Sequence, residues 1–147
     1  MSLIQKIEQD YIVAYKAKDS VRLTVLRLLK TAMKNLQVEL MRPIKEDETL
    51  DLVMKQVKQR RDSIEQFINA KRTDLAEKEE AELKVLQDYL PQALTQDELI
   101  KVVDAAVLKL EAKTQQDMGK VMQLILSEYK GRIEGKHLSD AVRSRLS

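Results

Sequence analysis

The sequence predicts an all-α protein, on three observations. Only three glycines and two prolines interrupt 147 residues, apolar side chains recur at intervals of three and four over long stretches, and no stretch alternates as a half-buried strand does. Ser2 with Gln5 forms a capping box that opens a first helix, with Leu3, Ile4, Ile7, Tyr11 and Tyr15 as its expected inward stripe. Asp19 is placed to cap a second helix, with Val21, Val25, Leu28, Leu29, Ala32, Met33, Leu36 and Leu40 along one side. It stops at Arg42-Pro43, because a proline excludes helical geometry from the residue before it. Leu23 and Leu26 lie off that face and predict contact on a second side. A third helix runs from near Glu48 to Lys71, with Leu50, Val53, Met54, Val57, Ile64, Phe67 and Ile68 as its stripe. Asp74 is placed to cap a fourth, ending near Tyr89-Leu90-Pro91.

Pro91-Gln92-Ala93-Leu94 is the best boundary in the chain, since a helix stop is followed at once by a second capping box, Thr95 with Glu98. The expected division is a helical domain over 1–93 and a three-helix domain over 94–147. In the latter, Leu99, Val102, Val103, Ala106, Val107 and Leu110 form the stripe of a fifth helix. Thr114 caps a sixth with Met118, Val121, Met122, Ile125 and Tyr129 facing inward, and Gly131 suits its left-handed stop. A short last helix presents Leu138, Ala141, Val142 and Leu146.

Composition closes off whole classes of chemistry. With no cysteine there is no disulfide, thiolate zinc site, iron–sulfur cluster or cysteine nucleophile. No basic leader with an apolar stretch opens the chain, and no run of about 18 apolar residues exists to span a membrane. A soluble cytoplasmic protein without membrane association is the expectation. Lys and Arg number 26 and Asp and Glu 24, so the net charge of +2 does not by itself imply nucleic acid. The distribution is more informative. Lys16, Lys18, Arg22, Arg27, Lys30 and Lys34 face one acid, Asp19, between positions 16 and 34. Lys55, Lys58, Arg60, Arg61, Lys71 and Arg72 follow, and then Asp74, Glu77, Glu79, Glu80, Glu82 and Asp88 reverse the sign. A basic helix followed by an acidic one reads as an antiparallel pair with complementary flanks.

His137 is the only histidine, which excludes any site needing two imidazoles, and it lacks an arranged partner that would make it a base. Glu77, Glu79, Glu80 and Glu82 have no Glu-x-x-His beside them, so they read as a solvated helix face rather than a metal site. Gly131-Arg132-Ile133-Glu134-Gly135-Lys136-His137 has three residues between its glycines where a phosphate loop has four, and lacks the hydroxyl after Lys136, so it is no ATP site. It reads as a helix stop, a turn and a new start. Amides at that start, flanked by Lys130, Arg132 and Lys136, form a candidate cradle for one backbone phosphate. No cofactor or metal is expected. Arg27, Lys30 and Lys34 share a face of the second helix, and Lys58 and Arg61 a face of the third, as secondary basic stripes. One Phe, no Trp and four Tyr leave little for base stacking, so RNA contact would be to the sugar–phosphate shape of a folded molecule.

The stretch Lys58-Gln59-Arg60-Arg61-Asp62-Ser63-Ile64-Glu65-Gln66-Phe67, then Arg72-Thr73-Asp74-Leu75, Glu82-Leu83 and Tyr89-Leu90-Pro91, closely resembles the YqeY family of small bacterial proteins. So does the tail, from Asp117-Met118-Gly119-Lys120-Val121-Met122 through Lys130-Gly131 and Gly135-Lys136 to Leu146. The resemblance covers nearly the whole chain and implies the GatB/YqeY fold, a larger helical N-terminal part joined to a three-helix C-terminal part. The tail also resembles the end of the B subunit of the glutamine-dependent aminoacyl-tRNA amidotransferase, where the related region contacts tRNA. That likeness implies tRNA recognition by Lys120, Lys130 and Lys136, with Arg143 and Arg145 as further candidates. Ile133-Glu134 departs from the Ala-Asp usual in the family. The resemblance stops short of catalysis, because the chain shows no nucleophile, base or metal set. The leading expectation is a non-catalytic tRNA-binding or tRNA-associated accessory protein, acting beside an aminoacyl-tRNA amidotransferase or synthetase. The alternatives are a protein-interaction module, with an apolar groove between the two parts motivated by Leu23 and Leu26, and a subunit of a carbon–nitrogen ligase using glutamine as amido donor.

Overall fold

The computed structural model describes residues 1–146 and is helical throughout, with no strand among those residues. In chain order the helices are α1 (Leu3–Ala17), α2 (Ser20–Leu40), α3 (Glu46–Asn69), α4 (Thr73–Gln87), α5 (Gln96–Leu110), α6 (Met118–Glu128) and α7 (Gly135–Arg145), with a 3-10 turn at Gln115–Asp117. Contacts divide the chain into two units, Met1–Leu90 and Pro91–Ser147, the second described through Leu146.

In the first unit α2 is the central helix and touches α1, α3 and α4. Its sequence offers two interleaved apolar stripes, and burial selects the one containing Val25, Leu26, Leu29 and Met33. Leu26 and Leu29 are fully buried, a transfer worth about 1.5 to 3 kcal/mol each. Leu28, expected inside, is 51% exposed, and Val21 also faces solvent. The second side predicted for Leu23 and Leu26 is real, but helices of the same unit occupy it: both pack in this unit's own core. That removes the observation behind a groove for a partner there.

The Ser2–Gln5 box and the Asp19 cap form as read, the latter accepting Arg22 N–H at 3.1 Å. The α1 stripe runs through Ile4, Ile7, Tyr11 and Ala14, so Tyr15, one position further round, is 63% exposed. Helix α3 starts earlier than expected, at Glu46, because Glu48 accepts Lys45 N–H at 2.9 Å and both Arg42 Nη atoms at 2.8 Å. Ile68 faces solvent, whereas Thr49 and Arg60 are buried. Asp74 does not cap α4. It lies inside the first turn and accepts from the Arg72 guanidinium, two bonds of 3.2 Å.

The complementary flanks of α3 and α4 meet at Arg60. Its Nη1 donates to Glu79 at 3.1 Å and also to Glu82. The acidic run is therefore not a wholly solvated face: Glu82 is buried, because the guanidinium offsets its desolvation. The end of α4 is fastened by Tyr89, whose hydroxyl donates to Asp10 Oδ2 at 2.6 Å while Lys6 lies 5.0 Å from its ring centroid. Burial, with the Asp10 carboxylate beside it, pushes the Tyr89 hydroxyl well above the usual phenol range.

The second unit packs Leu99, Val103, Val107, Val121, Ile125, Leu138, Val142 and Leu146 into one core. Leu110, expected inward, is exposed at the last turn of α5. Thr114 leads into the 3-10 turn rather than directly into α6. Helices α1, α3 and α5 end on one device: the N–H groups of Asp19, Arg72 and Ala112 reach back to the carbonyls of Ala14, Phe67 and Val107 at 3.0, 2.8 and 3.0 Å. The residues crossed are Lys18, Lys71 and Glu111, at φ of 55°, 58° and 52°, where glycine is usual.

Candidate nucleic-acid interface

The turn between α6 and α7 is built by backbone bonds. Tyr129 N–H donates to Ile125 O at 2.9 Å and Arg132 N–H to Tyr129 O at 3.0 Å. Between them Gly131 takes φ 79°, a region open to glycine at little steric cost. Arg132 then secures the segment before α5: its carbonyl accepts Leu94 N–H at 2.9 Å and its Nε donates to Gln92 O at 2.9 Å. Its guanidinium also sits 5.8 Å from the Tyr129 ring centroid.

Helix α7 starts at Gly135, and its first intrahelical bond is Leu138 N–H to Glu134 O at 3.0 Å. No side chain caps this end, and its first turn holds no acid. The Glu134 carboxylate lies 3.6 Å from His137 Nδ1 instead. Lys136 is thus a cation in the first turn of a helix, where the macrodipole favours an anion. Helix α5, in contrast, places Asp97 and Glu98 at its start. Lys120 stands in the first turn of α6 and is exposed, as is Lys136, whereas Lys130 is half-buried. Next to Lys120, Asp117 accepts the amides of Lys113 and Thr114 at 2.9 and 3.2 Å. Those bonds, aided by the Lys120 charge, hold its carboxyl below the usual range.

The arginines of α7 have carboxylates of their own: Arg143 meets Asp140 at 3.3 Å, and Arg145 meets Asp104 at 2.8 Å. On the first unit, Lys30 lies over the Tyr11 ring at 4.2 Å, while Arg27 and Lys34 are exposed. Lys58 is exposed on α3 and Arg61 half-buried. Sequence reasoning missed a groove of about 510 Å³ between α5 and α7, lined by Ile100, Val103, Ala141, His137 and the Asp104–Arg145 pair. The signal available was Ile100, an apolar residue off the α5 stripe. Among the described residues no group of three or more His, Cys, Asp or Glu is placed to hold a metal, and no helix is long and apolar enough to cross a membrane.

The family model described as Yqey-like protein matches residues 4–146. The chain is 32% identical over 145 residues to Altered inheritance of mitochondria protein 41, mitochondrial, of Pyrenophora tritici-repentis, covering 96% of this chain and 79% of that protein. Its namesake in Lachancea thermotolerans is 33% identical over 114 residues, covering 77% of this chain and 60% of its own length. That of Kluyveromyces lactis is 30% identical over 145 residues, covering 96% and 74%. These names correct the cytoplasmic expectation, since the relatives are mitochondrial proteins and point to that compartment. The expectation rested on the character of the first residues and on the lack of a long apolar run, and neither specifies a compartment. A match running from near the first residue to near the last, over an all-helical chain of two units, shows that this protein belongs to the YqeY family.

Proposed function

We propose that the chain is a non-catalytic accessory protein that binds tRNA through the turn between α6 and α7, beside an aminoacyl-tRNA amidotransferase or synthetase. The observation that supports this reading is the start of α7, where no side chain hydrogen-bonds the first amides and Lys136 follows the Glu134 N-cap in the first turn. A phosphate at that point would accept from the amides and relieve the unfavourable placement of the lysine. Lys130 at the turn and Lys120 near the start of α6 are the further cations of this reading, and Gly131 and Gly135 keep the backbone open. Around Gly135 nothing lies within 4 Å of where a Cβ would stand. Arg132, Arg143 and Arg145 contribute by shaping the surface, since each already bonds within the unit. The resemblance of the tail to the tRNA-contacting end of the amidotransferase B subunit agrees with this reading.

Filter binding of tRNA at two salt concentrations tests it. Wild-type affinity is expected to fall steeply with salt, by close to one power of ten per decade of salt for each phosphate neutralised. Lys120→Ala, Lys130→Ala and Lys136→Ala should each weaken retention, and equal retention by wild type and the triple variant refutes the reading. The groove between α5 and α7 favours a second reading, a protein-interaction module that seats an apolar side chain of a partner on Ile100, Val103 and Ala141. A partner retained after nuclease treatment and high salt, and lost in Ile100→Asp, would favour it.

A further inference from the structure

Helix α2 has no carboxylate from Ser20 to Val38, yet it contains Arg22, Arg27, Lys30 and Lys34, and Lys16 and Lys18 precede it. Two of these six cations are engaged inside the unit. Arg22 is 3.4 Å from Asp19 and 3.8 Å from Asp88, and Lys30 lies over Tyr11. Lys16, Lys18, Arg27 and Lys34 remain exposed, with no carboxylate of the described residues within 4.0 Å. Arg27 and Lys34 share one face of α2. Ser20, Thr24, Arg27, Thr31 and Lys34 follow one another at steps of three and four and are all exposed, so they form a single ridge on the outer face of α2. Lys18 stands at the turn where the ridge begins. From Ser20 to Lys34 it is roughly 21 Å long at the rise of an α-helix.

We propose that this ridge is a second RNA contact, on the N-terminal unit, that follows the sugar–phosphate backbone of a folded RNA stem. Charge complementarity selects a polyanion, and the polar residues between the cations select nucleic acid. Thr31 and Asn35 supply a hydroxyl and an amide at the height of the cations, while Thr24 already donates to Ser20 O at 2.9 Å and is left as an acceptor. Such groups bond phosphate oxygens and the 2′-hydroxyl, which distinguishes RNA from DNA. No aromatic residue lies on the ridge, so an unpaired strand has nothing to stack on. The proposal rests on the tRNA reading only for the choice of RNA as the polyanion. The residues concerned belong to the other unit and fail or succeed separately.

The experiment uses the full chain, fluorescent bulk tRNA, an RNA duplex and a DNA duplex of the same sequence, with polyglutamate as competitor. The variant Lys16→Gln/Lys18→Gln/Arg27→Gln/Lys34→Gln changes only exposed side chains, and its circular dichroism melt serves as the folding control. It is expected to bind tRNA at least about tenfold more weakly, with a salt slope shallower by about 3.6, the loss anticipated for four phosphate contacts. Lys78→Gln/Lys84→Gln on α4 should bind as wild type. Because the chain has no cysteine, Thr31→Cys labelled with benzophenone gives one crosslinking position, which should trap tRNA. Unchanged affinity in the quadruple variant overturns the proposal, even where the Lys120, Lys130 and Lys136 substitutions abolish binding and the tail reading stands. Loss in the quadruple variant alone sustains the ridge and removes the tail. Equal binding to DNA, or equally strong competition by polyglutamate, overturns the assignment to RNA.

Discussion

Replacing Arg60 with methionine should be the most damaging single change on the α3–α4 pair. Arg60 is 9% exposed and Glu82 5% exposed, so the substitution keeps the aliphatic volume but leaves a buried carboxylate without its cation. Glu79, only half-buried, can turn to water. Breaking one side of a buried ion pair costs about 3 to 5 kcal/mol, because the remaining charge keeps its desolvation penalty. At about 4 to 8 °C per kcal/mol for a unit of this size, the melting temperature should fall by at least about 12 °C. Removing both charges is a different perturbation. Arg60→Met/Glu82→Leu replaces the pair with apolar volume and should recover to within about 1 to 2 kcal/mol of wild type. Urea unfolding followed by circular dichroism, with m compared across all variants, measures the cycle. A single variant that costs less than about 1 kcal/mol would mean that water reaches Glu82 and would refute the reasoning. So would a double variant as unstable as the sum of the singles, because the two side chains would then not be coupled.

The remaining predictions rest on separate contacts. Leu26→Ala should cost about 2 to 5 kcal/mol, and Leu28→Ala, two positions along the same helix, less than about 0.5 kcal/mol, both read by thermal melting. Glu48 is held at about 2, below its ordinary 4.5, first by the Arg42 side-chain bond and then by Lys45 N–H. Its folded-state value is depressed, so its contribution is complete above pH 4.5 and is lost as pH falls towards 2. The stability difference between wild type and Glu48→Gln should vanish across that window and be constant above it. Gly131→Ala forces a side chain into the left-handed region and should cost about 1 to 2 kcal/mol, whereas Gly135→Ala should stabilise by about 0.4 to 1 kcal/mol, both measured by urea unfolding.

Much of the helical plan was legible because caps and periods are local. Ser2–Gln5, Asp19 and Thr95–Glu98 need only neighbours three residues away, and all three form as the spacing predicts. What was not legible depends on which neighbour arrives. Helix α2 offers two nearly equivalent stripes, and the packing of α1, α3 and α4 decides that Leu26 goes in and Leu28 stays out. Arg60 reads as a surface cation until Glu79 and Glu82 are brought against it from α4. Asp74 looks like a cap because its carboxylate is suitably close, yet Arg72 claims it. The tail cations show the same limit. The sequence groups Lys120, Lys130, Arg132, Lys136, Arg143 and Arg145 by composition, but only the fold reveals that Asp104 and Asp140 meet two of them and that the Gln92 carbonyl meets a third.

The helix endings at Lys18, Lys71 and Glu111 leave the molecule short of its attainable robustness. Each places a Cβ where it is sterically resisted, so glycine at any one of them would gain roughly 0.5 to 1 kcal/mol after its greater unfolded freedom is subtracted. At Lys71 and Glu111 that gain would come without loss to either proposed RNA contact. At Lys18 the same exchange would remove an ammonium group from the head of the α2 ridge. A chain optimised only for endurance would adopt glycine at all three; if the proposed ridge contact holds, the first exchange would trade that gain against a cation of the contact.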